Sequence, residues 1–88
     1  MNATARMSLA MMPPGQAGTV VAILAGSGLT ARLDAVGIRP GVRLVKTSGL
    51  PFGGPVTVGV GNVQLALGRG MAAKILLEIE PETRGEQP

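Results

Sequence analysis

The sequence contains no cysteine and no histidine. The chain therefore cannot form a disulfide, and it lacks the ligands of an ordinary structural zinc site. No apolar run approaches the roughly 18 residues that a membrane-spanning helix needs. The apolar run that ends at Pro13 is too short for a signal peptide. These absences favour a cytoplasmic protein that folds through its hydrophobic core alone.

Aromatic residues are almost missing as well, because Phe52 is the only one in 88 residues. The hydrophobic fraction is nevertheless 45%, so aliphatic side chains and methionine must form the core. Fourteen glycines and seven prolines supply turn signals every few residues, which is typical of short strands. A chain this short buries only about 60 to 65% of its unfolded surface. We therefore expect one small, tight domain.

Five segments show the β-branched or alternating pattern of strands, and they cover residues 17–24, 42–48, 56–60, 63–67 and 75–80. Gly61 and Asn62 predict a two-residue hairpin, whereas residues 68–73 predict a single tight turn. Inward positions are assigned to a set of aliphatic residues: Leu29, Leu33, Val42, Leu44, Val56, Val58, Val60, Val63, Leu65, Leu67, Ile75, Leu77 and Ile79.

A helix of about two turns is predicted between the first two strands. The Ser27 hydroxyl can cap its first turn, and the residues at i, i+4 and i+7, Leu29, Leu33 and Val36, give one apolar face. Gly37 is expected to end the helix in the left-handed conformation, with Ile38 packing back onto the last turn.

This pattern predicts a mainly β fold, a small, partly open SH3-like barrel of about five strands with one short helix between strands one and two. Residues 1–81 form the single domain in this interpretation. Residues 82–88 contain no apolar side chain that could anchor them, and we expect a flexible tail.

The chain offers almost none of the groups that catalysis requires. Its serines have no histidine to activate them, and Asp34 is expected on the solvated side of the helix. Gly26, Ser27 and Gly28 could present backbone amides to an anion, but they lack the lysine of a P-loop and the third glycine of a dinucleotide fingerprint. We expect a turn with a cap there and no enzymatic activity.

Metal and cofactor binding are not expected either. Ferrous iron is held mainly by imidazole, thiolate or clustered carboxylates, and only the last are available, at Glu78, Glu80, Glu82 and Glu86. Alternating glutamates on a strand usually face solvent, and we interpret them as solubilising.

Nucleic-acid binding is the alternative function, because the net charge is +3 and the pI is about 10.7. The basic residues are scattered singly and are expected to keep the domain soluble: Arg32, Arg39, Arg43, Lys46, Arg69 and Lys74. Single-strand binding surfaces usually add aromatic side chains on which bases stack, and this chain has one phenylalanine.

Several apolar residues have no slot in the predicted core: Met11, Met12, Leu50, Phe52 and Leu76. Exposed apolar clusters mark interfaces, but the same residues could close the open ends of a barrel. Both interpretations stay open. If they form an interface, the candidate partner-binding residues are Leu50, Pro51, Phe52 and Leu76.

The order of these motifs resembles the FeoA family of small proteins from bacterial ferrous iron uptake systems. The resemblance covers roughly residues 8 to 80 and is carried by Pro14, Gly15, Gln16, Leu33, Gly37, Ile38, Pro40, Gly41, Pro51, Phe52, Gly53 and Pro55. It implies an SH3-like barrel that acts in the cytoplasm as an accessory protein of FeoB, a membrane permease with a GTPase domain. A second copy of the chain is a further partner to test. Gly54 and Gly68 replace charged residues that many family members carry.

Overall fold

The computed structural model describes residues 5–50 and 53–81. In chain order the elements are β1 (Arg6–Ser8), a 3₁₀ turn (Leu9–Met11), β2 (Ala17–Ile23), α1 (Ser27–Ala35), β3 (Arg43–Leu50), β4 (Gly53–Val60), β5 (Val63–Leu67), α2 (Arg69–Ala72) and β6 (Ile75–Ile79). The expected tail, residues 82–88, lies outside the described residues.

The described strands form one antiparallel sheet in the order β1-β6-β2-β3-β4-β5. This confirms the mainly β fold and the position of the helix. The sequence pattern predicted about five strands, and the described sheet has six. Strand β1 is only three residues long and gives no periodic signal. Residues 68–73 were expected to form a tight turn and instead include the single helical turn α2.

The start of α1 differs from its prediction. Gly26 occupies the N-cap position, and no side chain makes a capping hydrogen bond. Ser27 is the first helical residue, so its assignment as the cap was wrong. Glycine is itself an accepted N-cap residue, and Gly26 has an extended backbone that turns the chain from β2 into the helix without a side-chain cap.

The end of α1 confirms its prediction. Gly37 has a φ of +92° and donates its amide to the carbonyl oxygen of Asp34 at 3.0 Å. The Ile38 amide donates to the carbonyl oxygen of Leu33 at 2.9 Å, and the Ile38 side chain is fully buried. This pair of bonds is the Schellman motif, which satisfies carbonyl groups that the helix leaves open.

The core joins the helices to the inner face of the sheet. Its buried members are Leu9, Met12, Val20, Leu33, Ile38, Leu44, Val56, Val58, Leu67, Ala72, Ile75, Leu77 and Ile79. Met12, which had no slot in the sequence-based core, is 2% exposed, while Met11 beside it is 73% exposed. Val63, a predicted core position, is exposed because it begins the edge strand β5. Val36, predicted on the apolar face of the helix, is exposed at the C-cap that follows α1.

Strands β2 and β6 approach each other closely at Gly18, and a substitution there tests this packing. A Cβ atom there would lie 2.9 Å from the carbonyl oxygen of Glu78 and 3.2 Å from Cβ of Leu77. We expect Gly18→Ala to lower the free energy of unfolding by about 1 to 3 kcal/mol. Gly28→Ala is the matched control: nothing lies within 4 Å of its Cβ position, and it should raise that free energy by about 0.5 to 1 kcal/mol because the helix prefers alanine. Denaturant titration measures both, and a Gly18→Ala protein as stable as the wild type would contradict the packing described.

Candidate functional site

The first candidate surface is the end of the β3–β4 hairpin. Ser48 pairs with Thr57, and the pairing continues to Leu50 opposite Gly53. Pro51 and Phe52 join these two strands in the sequence and lie outside the described residues, as does the side chain of Leu50. The prediction that Leu50, Pro51 and Phe52 form a contact therefore stays a prediction.

Leu76 lies elsewhere in the sheet. It is half-buried on β6, where it faces Ala22 of β2. On the same β2 strand, Ala17 faces Val45 of β3. Leu50 lies five residues beyond Val45 in the opposite direction along the sheet, so about ten residues, or roughly 30 Å along the strands, separate it from Leu76. The structure does not bring Leu76 and Leu50 onto one surface.

A groove between α1 and the segment that follows β5 was missed from the sequence. We call it the α1–β5 groove; it has a volume of about 210 Å³ and is lined by Arg32, Leu33, Val36, Ala66, Leu67, Gly68 and Met71. Leu33 and Leu67 are buried in its floor, while Val36 is 46% exposed. The sequence pattern assigned Leu33 and Leu67 to the core and Val36 to the apolar face of the helix. The charged Arg32 next to Leu33 was the available sign that a surface lies beside them.

Other exposed apolar side chains lie outside this groove. Met11, Leu24 and Val63 are 73%, 59% and 53% exposed. Single exposed apolar residues are normal on protein surfaces and do not by themselves mark a contact.

Lys46 is the charged side chain that the described part of the structure buries, with 3% exposure. Its ammonium Nζ donates to the carbonyl oxygen of Met12 at 2.6 Å and to that of Ala10 at 3.3 Å. The sequence-based assignment of Lys46 to the solubilising surface residues was wrong. The residues around Lys46 in the sequence did not indicate its burial, because the two acceptors are backbone groups of a distant segment.

Burial lowers the pKa of Lys46, and the positive charge of Arg69 lowers it further. Two carbonyl oxygens compensate for part of the lost hydration through charge-assisted hydrogen bonds. The Lys46 backbone also bonds this segment, since its amide donates to the carbonyl of Gln16 at 2.9 Å and its carbonyl accepts from the amide of Gly15 at 2.7 Å. Lys46 thus bonds residues 10–16 to the sheet at four points.

Three arginines form ion pairs at the surface. The Arg39 guanidinium lies 2.6 Å from the Asp34 carboxylate, that of Arg6 lies 3.8 Å from Glu78, and that of Arg43 lies 2.5 Å from Glu80. The hydrogen bond from the Arg43 guanidinium lowers the pKa of the Glu80 carboxyl. Of the four glutamates weighed as metal ligands, Glu82 and Glu86 lie outside the described residues. Within residues 5–50 and 53–81, no group of three or more acidic, histidine or cysteine side chains could hold a metal ion.

None of the helices described here is long and apolar enough to cross a membrane.

A family model described as the FeoA domain matches residues 7–79. A crystal structure of an iron uptake regulatory protein (FeoA) is 32% identical, with a TM-score of 0.81 over 86% of this chain and 100% of that one. The FeoA protein of Chlorobium tepidum is 25% identical, with a TM-score of 0.77 over 85% of this chain and 71% of that one. No curated protein matches significantly.

Two further solved structures are similar to this chain. The FeoA protein of Stenotrophomonas maltophilia was solved in complex with zinc and described as a prokaryotic SH3-domain protein and a candidate ferrous iron transport activating factor. It is 25% identical, with a TM-score of 0.71 over 82% of this chain and 89% of that one. A manganese-dependent transcriptional repressor is 22% identical, with a TM-score of 0.79 over 91% of this chain and 45% of its own. That likeness shows the fold alone.

The buried ammonium predicts a pH-dependent difference in stability between the wild type and Lys46→Met. Because burial lowers the pKa of Lys46 in the folded state, the unfolded chain binds more protons between that pKa and the ordinary lysine value of about 10.4. The contribution of Lys46 to stability must therefore rise with pH in this window. Denaturant titrations at about pH 7, 8.5 and 10 should show the wild type gaining stability relative to Lys46→Met. Lys74→Met, at an exposed lysine, controls for the lost charge, and a difference that stays flat or falls with pH would contradict the buried position.

Proposed function

Because the chain belongs to the FeoA family, we propose that it acts in the cytoplasm as a non-enzymatic accessory protein of ferrous iron transport that binds the cytosolic part of the FeoB permease. The observation that carries this proposal is the family match over residues 7–79, which covers all the strands and helices described above except the first residue of β1. The 32% identity to a structure named as an iron uptake regulatory protein supports the same role.

The surface supports a function by protein contact. The α1–β5 groove combines a buried apolar floor with the exposed side chain of Val36 and the basic Arg32. Such a combination of apolar floor and charged rim is typical of surfaces that bind proteins. Regulation of a permease needs a contact that changes with the state of the partner, and it requires no catalytic group on this chain.

We assign the contact first to the end of the β3–β4 hairpin, at Leu50, Pro51 and Phe52. Aromatic side chains often dominate interfaces, and Phe52 is the only one in the chain. Pro51 restricts the backbone on one side of it, while Gly53 leaves the other side unhindered. Leu76 is a separate candidate, because it lies toward the other end of the sheet.

Phe52→Ala tests this assignment. If Phe52 contacts FeoB, the variant should fold with nearly unchanged stability and bind the cytosolic domain of FeoB more weakly by about 2 kcal/mol or more. If Phe52 instead closes the end of the barrel, the same change should lower the free energy of unfolding by about 3 to 5 kcal/mol. Calorimetric titration with the FeoB domain and thermal melts on the same samples separate these results.

Met11→Ala serves as the control, because Met11 is an exposed apolar residue on the 3₁₀ turn and not on the hairpin. It should bind FeoB like the wild type. Wild-type affinity in a stable Phe52→Ala protein would remove this hairpin from the proposed interface. Tight, salt-sensitive binding to an oligonucleotide in place of FeoB would overturn the proposal in favour of nucleic-acid recognition.

We also propose that the protein carries no resident metal ion and no cofactor. Histidine and cysteine are absent from the sequence, and Glu78 and Glu80 each face an arginine. Elemental analysis of dialysed, tag-free protein should find iron and zinc well below one ion per chain. One ion per chain that survives dialysis would point to a site formed by Glu78 to Glu86 or shared between molecules.

A further inference from the structure

The two edges of the described sheet differ in how they are protected. Strand β1 is three residues long and carries Arg6, which lies opposite Glu78. Strand β5 is the other edge, five residues long, and its sequence Val-Gln-Leu-Ala-Leu has neither a charge nor a proline. Short length, charges and prolines are the usual means of preventing edge-to-edge pairing. Strand β5 has no charged residue and no proline, and it is longer than β1.

The hairpin determines which backbone groups β5 presents at this edge. Gly61 and Asn62 form its two-residue turn, and only Gly61 has a positive φ, +60°, as in a type II′ turn. Such a turn closes on a hydrogen-bonded pair, here Val60 and Val63. Because bonded and non-bonded pairs alternate along an antiparallel ladder, the amides and carbonyls of Gln64 and Ala66 point away from β4. Both residues are exposed.

We propose that two copies of this chain pair through β5, antiparallel, about a two-fold axis at Leu65. In this register Gln64 of each copy faces Ala66 of the other, and the outward groups form four backbone hydrogen bonds. The side chains also match: Leu65 faces its own copy, and Val63 faces Leu67. Apolar residues therefore meet apolar residues, and the inner faces of the two sheets lie on the same side.

Two features of this edge favour a second copy as its partner: the contact carries no charge, and a two-fold contact forms a closed dimer. The chain has a net charge of +3, so self-association is favoured only where the contact itself is uncharged, as β5 is. Val63, which is 53% exposed in the single chain, gains an apolar neighbour. The two-fold contact uses the one unprotected edge of the described sheet in each copy, so assembly through this edge stops at a dimer and does not continue into a fibre. The dimer does not use the end of the β3–β4 hairpin to which FeoB binding is assigned, and its failure would leave the proposed function standing.

Ala66→Pro tests the dimer without removing a bond to β4, because the amide that proline lacks is one that points outward. It deletes two of the four bonds between copies and should weaken the dimer by at least about tenfold in sedimentation-equilibrium measurements on the full chain. Ala66→Ser keeps the amide at the same position and should dimerise like the wild type. Circular dichroism and thermal melts check that both variants are folded. A wild type that stays monomeric at millimolar concentration, or a folded Ala66→Pro protein with unchanged dimerisation, overturns the proposal and leaves the edge to a strand of another protein.

Charged double variants test the register and do not depend on proline. In the proposed dimer, Gln64→Lys combined with Ala66→Lys places like charges opposite each other at both facing positions and should abolish dimerisation at low salt. Gln64→Lys combined with Ala66→Glu places opposite charges there and should restore or strengthen it. Equal dimerisation of the two double variants contradicts the register and therefore the proposal.

Discussion

Lys46 connects the N-terminal part of this protein to the sheet. The Lys46 side chain reaches from β3 to the carbonyl groups of Ala10 and Met12, and its backbone bonds the residues that follow them. In the same segment, Leu9 and Met12 are buried in the core. An isolated lysine is costly to bury, so the segment must supply acceptors that replace water. The requirement couples two parts of the chain that lie more than thirty residues apart in sequence.

This coupling determines which surfaces are left for binding. Because the N-terminal segment covers its part of the core, the apolar groups that remain accessible lie in the α1–β5 groove, at isolated exposed side chains and along the uncharged edge of β5. Three arginines are meanwhile engaged by carboxylates, which reduces the positive charge available to a nucleic acid. A small barrel in the FeoA family thus presents apolar and neutral contact surfaces, in agreement with a role as an accessory protein.

Local signals in the sequence predicted the parts of the fold that local chemistry controls. Gly37 ends α1 because only a left-handed residue closes a Schellman motif without strain, and Gly61 and Asn62 join β4 to β5 because a two-residue turn matches the strand twist. Lys46 and Val63 were misjudged because burial depends on neighbours from distant segments. The sequence also did not predict that β5 is an edge strand, because this depends on the order of the strands in the sheet. The hairpin end at Phe52 was chosen from residue type, and its role stays a prediction.

The folded-state pKa of Lys46 tests the central claim most directly. Nuclear magnetic resonance of the lysine Cε carbons across an alkaline titration resolves each side chain, and Lys46→Met identifies the resonance. The buried position predicts that Lys46 titrates below the ordinary lysine pKa of about 10.4, and that its ammonium protons exchange slowly with water. A Lys46 resonance that titrates at the ordinary value with rapidly exchanging protons would place the ammonium in solvent and contradict the account.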